Sequence, residues 1–277
     1  MQRKLNEIKH KLNAFDVASI KRARAKLFDS RPARNSSPSR CWRKMSEIDK
    51  RFSLNRRVNV FLDLCGGPGE FANYLLSTNP FVEGYGVTLM NNPSCLYRSR
   101  LSKLKNFTII AGPNGTGDVF DKDVIFEISF QCGNRCDLVV ADGAVDVSGR
   151  ENQQEKLNFD LIMCETQMIL IALRPGGNSV LKVFDAFDDK TVGMLANFVS
   201  HFEKYHVYKP PSSRPSNAER YLICINKLIG NGDGATEETR TAMRKKFNKF
   251  YKNQWRSLNA LIDELLRRRA HVQVYAK

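Results

Sequence analysis

Between residues 58 and 226 the chain alternates short apolar runs with longer helical ones, and few folds accept that order. The strand-like runs are VNVFLDL (58–64), YGVTLM (85–90), FTII (107–110), DLVVAD (137–142), SVLKVF (179–184), YHVY (205–208) and RYLICI (220–225). Helical runs lie between them, such as FANYLL (71–76), LNFDLIMCETQMILIAL (157–173) and DKTVGMLANFVSHF (189–202). Parallel strands need crossover helices, so the alternation predicts an α/β fold with a doubly wound, mainly parallel, seven-stranded sheet of Rossmann-like type. Such sheets bind ligands beyond the carboxyl ends of their strands, near the point where strand order reverses. Attention therefore falls on what stands at those ends.

The first strand ends in Asp63 and runs through Gly66, Gly67 and Gly69 into a helical stretch, in VNVFLDLCGGPGEF (58–71). Glycines there let the backbone approach a ligand without a Cβ clash, and the helix N-terminus offers free N–H groups. The spacing Gly67-x-Gly69-x-x-Ala72 also fits a dinucleotide fingerprint. Two details favour S-adenosylmethionine (SAM). Asp63 precedes the glycines, where a carboxylate holds an ammonium group. The acid expected about 20 residues on for a nicotinamide ribose is missing, since GYGVTLM (84–90) has Thr88 there.

Three further strand ends carry reactive groups: Asp142 closes DLVVAD, Lys182 lies near the end of SVLKVF, and Glu219 opens ERYLICI (219–225). Lys44 lies in the helical run SRCWRKMSEI (39–48), which Ser39 is placed to cap, with Trp42, Met45 and Phe52 turned to the core. Two lysines with two carboxylates suit the activation of a sugar hydroxyl. A ribose hydroxyl is a weak nucleophile, so its alkoxide must be stabilised as an ammonium would do, or its proton removed by an amine of depressed pKa. A neighbouring lysine depresses that pKa by like-charge repulsion. In this scheme Lys182 acts on the hydroxyl, Lys44 assists, and Asp142 and Glu219 position them.

The net charge of +15 is unevenly spread. Residues 1–57 hold 17 Lys+Arg against 5 Asp+Glu, a net of +12, while residues 58–230 hold 16 against 19, a net of −3. Residues 231–277 hold 11 against 5, a net of +6. An acidic α/β core between basic flanks is the footprint of a protein that holds a phosphate backbone. Taken singly, KRARAK (21–26) or RRR (267–269) also fits a solvated helix face or a nuclear-import signal. The flanks are helical by pattern: Leu5, Ile8, Leu12 and Phe15, then Val17, Ile20, Leu27 and Phe28 near the start, and Met243, Phe247, Phe250, Leu258, Leu261 and Leu265 near the end. The last set predicts one or two helices presenting Arg244, Lys245, Lys246, Lys249 and Lys252 outward. The expected division is a basic helical extension over 1–38, a catalytic domain over 39–229 and a second basic extension over 230–277. SRPARNSSPSR (30–40) reads as a loop beside the site.

No run of 18 apolar residues exists and the N-terminus lacks an apolar signal-peptide core, which predicts an intracellular protein of nucleus or cytoplasm with no membrane partner. Seven scattered cysteines suit buried thiols in a reducing compartment. Neither they nor the four histidines show zinc-site spacing, so no metal is expected.

These residues together resemble the FtsJ/RrmJ-type RNA 2′-O-ribose methyltransferases, and most of all the cap-specific mRNA branch found in animals and in large DNA viruses of insects. Lys44, Asp142, Lys182 and Glu219 match that family's Lys-Asp-Lys-Glu tetrad in order and context. DLCGGPGEF (63–71) resembles its SAM motif, VVADGAVDVSGRENQQE (139–155) the block after the tetrad aspartate, and SSRPSNAERYLIC (212–224) the block carrying the glutamate. The likeness covers roughly residues 39–228. It implies a Rossmann-like SAM-dependent enzyme that methylates the first transcribed nucleotide of capped mRNA, converting cap 0 to cap 1 and leaving S-adenosyl-L-homocysteine. It implies cofactor contacts from Asp63, Cys65, Gly66, Gly67, Pro68, Gly69, Thr88 and Asp142, with Asp118 on the adenine amino group and Val119 near the ring. Arg40, Arg43, Arg214 and Asn91, in NNPS (91–94), are candidates for touching cap or RNA. Phe28 and Trp42 are aromatic enough to stack a base, but amphipathic helices more often turn such residues to the core. Two alternatives stand beside this: 2′-O-methylation of rRNA or tRNA, which uses the same tetrad, and a non-catalytic RNA-binding subunit on a methyltransferase fold. The block around Glu219 argues against the first and the complete tetrad against the second.

Overall fold

The alternation is realised strand for strand. The computed structural model describes residues 1–29, 38–230, 232 and 234–275. The chain opens with α1 (Gln2–Leu12), α2 (Val17–Phe28) and α3 (Arg40–Phe52), then runs β1 (Val60–Leu64), α4 (Glu70–Thr78), β2 (Glu83–Val87), α5 (Ser99–Ser102) and β3 (Phe107–Ile110). It continues through α6 (Lys122–Cys132), β4 (Cys136–Ala141), α7 (Gln154–Ala172), β5 (Leu173–Val183), α8 (Asp189–Val199), β6 (Phe202–Tyr208), β7 (Arg220–Lys227) and α9 (Glu237–Tyr275). One sheet holds all seven strands in the order β3-β2-β1-β4-β5-β7-β6. Strands β1 to β5 pair in parallel, and β7 alone runs against its neighbours β5 and β6.

Alternation along each strand builds two cores, one on each face of the sheet. Leu62, Val139, Leu181 and Leu222 pack on the face covered by α1, α2, α6, α7, α8 and α9. Their sequence neighbours Phe61, Val140, Val180 and Ile223 pack on the face covered by α3 and α4. Because both faces are covered, the central strands are apolar throughout, which is why they read as unbroken apolar runs.

Element limits differ from the sequence expectation in places. β5 begins at Leu173, where it pairs with Cys136 before a register shift, and so takes in the Arg174–Asn178 stretch that the sequence leaves as a connection. The C-terminal stretch is one helix of 39 residues. In α2, Val17 and Leu27 are exposed at the ends of the helix, and its buried stripe is Ile20 and Ala23. Lys246 does not point freely outward: its Nζ lies 4.5 Å from the Tyr205 ring centroid. Arg244 pairs with Asp189 on α8. The loop expected over 30–40 falls mostly outside the described residues.

The terminal helices are fastened to the sheet by buried charge. Asp185, just past β5, accepts from Lys9 of α1 and from Arg220 Nη1 at 2.9 Å. Arg220 is wholly buried at the start of β7, donates from Nη2 to Gln254 Oε1 of α9 at 2.7 Å, and faces the rings of Phe247, Phe250 and Tyr251. A buried cation needs such partners, because desolvation otherwise opposes its charge.

Candidate active site

Four elements deliver the four reactive residues to one edge of the sheet. Asp142 follows the last residue of β4, and Lys182 is the penultimate residue of β5. β7 runs the opposite way, so its first turn lies at that same edge and brings Glu219 there. Lys44 arrives from α3, which Ser39 caps by accepting from Trp42 N at 3.1 Å, as the sequence predicts. The same hydroxyl donates to Glu70 Oε2 at 2.6 Å, tying the start of α3 to the first residue of α4. Trp42 packs edge-on to Tyr74 in the α3/α4 core, and Phe28 packs against the opposite core.

The four side chains form two ion pairs. Lys44 Nζ lies 2.8 Å from Glu219 Oε2, and Lys182 Nζ lies 3.1 Å from Asp142 Oδ1 and also donates to the Asp142 carbonyl. Both lysines are buried. Burial opposes charge on Lys182, yet Asp142 and Glu219 outweigh it and the Lys44 repulsion, so its pKa stands above the ordinary lysine value. Lys44 is raised likewise, burial being outweighed by Glu219 and Asp142. This corrects the expectation that like-charge repulsion depresses the reactive amine. Each lysine has a carboxylate oxygen within 3.1 Å, and that attraction outweighs the repulsion between the two amines. Burial pushes Glu219 up, but Lys44 and Lys182 bring it down to about 2, which keeps it ionised.

Beside this set lies the glycine loop. Asp63 is wholly buried, and burial with the nearby Asp142 pushes its pKa up to about 8. Its Oδ1 has no hydrogen-bond partner. Such an atom is costly unless a ligand meets it, and an ammonium group is the natural counterpart. The loop leaves no room for side chains: a Cβ on Gly66 would fall 2.1 Å from Asp63 Oδ2, and one on Gly67 1.5 Å from the Cys95 carbonyl. Gly69 caps α4 in the left-handed region (φ 95°), and Pro68 precedes it. Cys65 opens the turn at φ 52°. Thr88, just past β2, donates to the Cys95 carbonyl at 2.9 Å and holds the 88–95 segment over the glycines. Asp118 accepts from Phe120 N at 3.0 Å, and Val119 beside it is buried. The residues present thus fit the ammonium end of a ligand such as SAM. They lie at β1 and β4, where strand order reverses.

A cleft of about 380 Å³ opens on Lys182 and Glu219 and is bounded by Lys9 and Leu12 of α1, Arg24 of α2 and Glu151. Arg24 and Glu151 pair at 3.8 Å in its wall, while Arg24 Nε and Glu151 Oε2, a donor and an acceptor, have no hydrogen-bond partner. Arg214 and Arg40 converge on Asp29, Arg214 through two hydrogen bonds of 2.9 and 2.6 Å and Arg40 through one of 3.0 Å. Arg43 and Asn91 are exposed.

Several site residues escape the sequence. Tyr221 pairs with Lys182 across β5 and β7 and donates to Asp142 Oδ1 at 2.8 Å. Tyr97 donates to the Asp63 carbonyl at 3.0 Å. Glu165 of α7 is wholly buried, accepts from Gly143 N at 3.1 Å, and is pushed by burial up to about 8. Lys209 and Ser213 line the turn before Glu219. Tyr221, in an apolar strand, reads as core, and only the strand register reveals its hydroxyl partner. Among the described residues no helix is long and apolar enough to cross a membrane, and no His/Cys/Asp/Glu group forms a metal site.

Comparison with known proteins agrees with this geometry. Residues 38–227 match the profile of the FtsJ-like methyltransferases. The chain is 60% identical over 265 residues to the cap-specific mRNA (nucleoside-2′-O-)-methyltransferase of Autographa californica nuclear polyhedrosis virus, covering 96% of this chain and 99% of that one. It is 31% identical over 222 residues to cap-specific mRNA (nucleoside-2′-O-)-methyltransferase 1 of Caenorhabditis elegans, covering 77% of this chain but 22% of the nematode protein. Among solved structures, a putative ribosomal RNA methyltransferase from Plasmodium falciparum shares the fold, with a TM-score of 0.50 and 20% identity over 69% of this chain and 99% of that one.

Proposed function

The chain belongs to the FtsJ-like methyltransferase family, and on that footing we propose that it methylates the ribose 2′-OH of the first transcribed nucleotide of capped mRNA, using SAM. The observation that carries the reaction type is the convergence of Lys44, Asp142, Lys182 and Glu219 on one sheet edge beside Asp63, whose buried Oδ1 has no partner. The preference for a capped transcript rests on the likeness to the viral enzyme along nearly its whole length.

Asp63, the backbone of Cys65 to Gly69, Thr88, Asp118, Val119 and Asp142 are the residues that would hold SAM. When bound, SAM supplies a methyl carbon on a sulfonium centre, an electrophile that needs no further activation. The chain's own task is the hydroxyl. Lys182, held as an ammonium by Asp142 and Glu219, is a fixed positive charge that stabilises negative charge developing on O2′ rather than a base, and the hydroxyl proton leaves to water through the open cleft. Lys44, fixed by Glu219, supplies a second positive charge to the same place. Tyr221 holds the Asp142 carboxylate from the other side. The cleft bounded by Arg24 and Glu151 is where the capped end lies, its paired donor and acceptor suiting a nucleobase edge. Arg40, Arg43 and Arg214 meet the phosphates, with Asn91 at the rim. The three-part division stands as proposed, 39–229 being the catalytic unit and 1–38 and 230–277 the basic extensions, in a protein acting in nucleus or cytoplasm where capped transcripts occur.

Incubation with methyl-labelled SAM tests this. Capped transcripts are expected to acquire a 2′-O-methyl group at the first nucleotide, uncapped ones to stay unlabelled, and Lys182→Met to abolish transfer while leaving SAM binding intact. Equal labelling of uncapped RNA would remove the cap requirement and favour an rRNA- or tRNA-type substrate.

A further inference from the structure

The turn between β6 and β7 carries a third lysine, and it faces Glu219 from behind. Lys209 is half-buried, and its Nζ donates to Ser213 Oγ at 3.2 Å, to the Asn217 carbonyl at 2.9 Å and to the Glu219 carbonyl at 2.8 Å. An ammonium has three donors, and all three are satisfied within one turn. Ser213 is buried, and its hydroxyl donates to Glu219 Oε1 at 2.8 Å. A serine hydroxyl has one proton and accepts through its lone pairs. By occupying the acceptor side, Lys209 directs that proton towards Glu219. The other carboxylate oxygen, Oε2, takes Lys44. A continuous chain therefore runs Lys209, Ser213, Glu219, Lys44. The turn is also fixed to α3, the helix that carries Lys44, since Ser212 donates to Glu47 Oε2 through N at 2.9 Å and Oγ at 2.8 Å.

We propose that Lys209, acting through Ser213, is a positioning residue that holds the Glu219 carboxylate against Lys44 during methyl transfer. The role rests on Lys44 and Glu219 being catalytic. A lysine that only stapled the turn would have no need of Ser213 aimed at the carboxylate, because two carbonyls already close the loop. The groups around Lys209 favour this service over proton transfer: Arg220, Glu219, Lys44 and Asp185 surround it, and its Nζ touches only the turn itself. Burial and the nearby Arg220 bring its pKa to about 7 against the pull of Glu219 and Asp185, so the three-donor ammonium that aims Ser213 is the form held below that pH. Nothing in the sequence marks it, since its partners are mostly backbone carbonyls.

The test compares Ser213→Ala, Ser213→Thr, Lys209→Met and the Lys209→Met/Ser213→Ala pair in the full chain, with Lys182→Met as reference. Steady-state methyl transfer, SAM affinity by calorimetry and thermal unfolding are read together. Ser213→Ala and Lys209→Met are each expected to lower kcat about tenfold, the size of one hydrogen bond to a charged group, with SAM affinity and KM for RNA unchanged. Ser213→Thr, which keeps the hydroxyl, is expected to retain kcat within about twofold, and the double variant to lose no more than Lys209→Met alone. Wild-type kcat in Ser213→Ala, or losses that multiply in the double variant, would overturn the inference. Ser213→Ala removes a single oxygen, so it carries the test even if Lys209→Met fails to fold. Should Lys182→Met itself stay active, the catalytic assignment falls instead, and the two failures are told apart.

Discussion

Asp63 is buried as a carboxyl group rather than as a carboxylate, and this sets a sign on the stability of the free protein. Its folded pKa of about 8 lies above the ordinary value of 3.8, and Glu165 stands at about 8 against 4.5. Between those limits the folded chain binds more protons than the unfolded one, so stability falls as pH rises. Each group removes at most about 1.4 kcal/mol per pH unit across that window. The unliganded protein is expected to lose Tm between pH 6 and about 8, with a shallower slope in Asp63→Asn and shallower still in Asp63→Asn/Glu165→Gln. Calorimetry across that range checks it, and a Tm that climbs with pH in the wild type but not in the variants would refute it. Asp63, Asp142 and Lys182 were legible in the sequence because a polar group at the end of an apolar strand has few structural excuses. The protonation of Lys182 was not, because its direction depends on whether carboxylates or the second lysine lie nearer, and spacing along a chain holds no such distance. Tyr221 and Lys209 were hidden for a related reason: one looks like core, and the other serves a backbone.

The loop from Cys65 to Gly69 shows how little freedom the β1–α4 connection has. Gly67→Ala places a Cβ on the Cys95 carbonyl, which is backbone and must move as a unit with the 88–95 segment. That variant is expected to lose about 1–3 kcal/mol of stability, as overpacked sites do, and to bind SAM at least tenfold more weakly, since the loop forms the cofactor wall. Urea unfolding and calorimetry measure both; unchanged SAM affinity would show that the loop does not line the cofactor site. Gly67 and Gly69 announced this turn in the sequence, and so did the helix that follows it. All seven strands were legible from their apolar runs, the central ones most clearly because strands covered on both faces carry few polar residues. What escaped was direction and extent. That β7 runs antiparallel, which puts Glu219 beside Lys182, follows from pairing with β5 and β6 across the sheet and from no local pattern. The early start of β5 likewise comes from its pairing with Cys136.

The two ends of the chain, so alike in charge, meet over one core: Leu5, Ile8 and Leu12 pack with Met243, Phe247, Leu258 and Leu261 against the sheet. Their basic composition was plain in the sequence, but their meeting was not, since helical periodicity names a buried face without naming its partner. Asp185 holds that meeting together electrostatically, as the anion shared by Lys9 and Arg220. Asp185→Asn leaves two buried cations without a carboxylate and is expected to destabilise the protein by about 3–5 kcal/mol. Hydrogen exchange should then show α1 opening before the sheet, whereas uniform protection across α1 and the sheet would mean that the pair contributes little. The arrangement also has a consequence for birth rather than for catalysis. During synthesis α1 leaves the ribosome before the sheet it packs on, since Asp185 is made 176 residues after Lys9, and the apolar partners on α9 come later still. While the sheet is being made α1 is an unmatched amphipathic segment, and it can dock fully only when α9 has emerged. A helix made before the sheet is thus among the last elements to find its place, and a nascent chain holding every residue of the tetrad still lacks the helix against which Arg220 is packed.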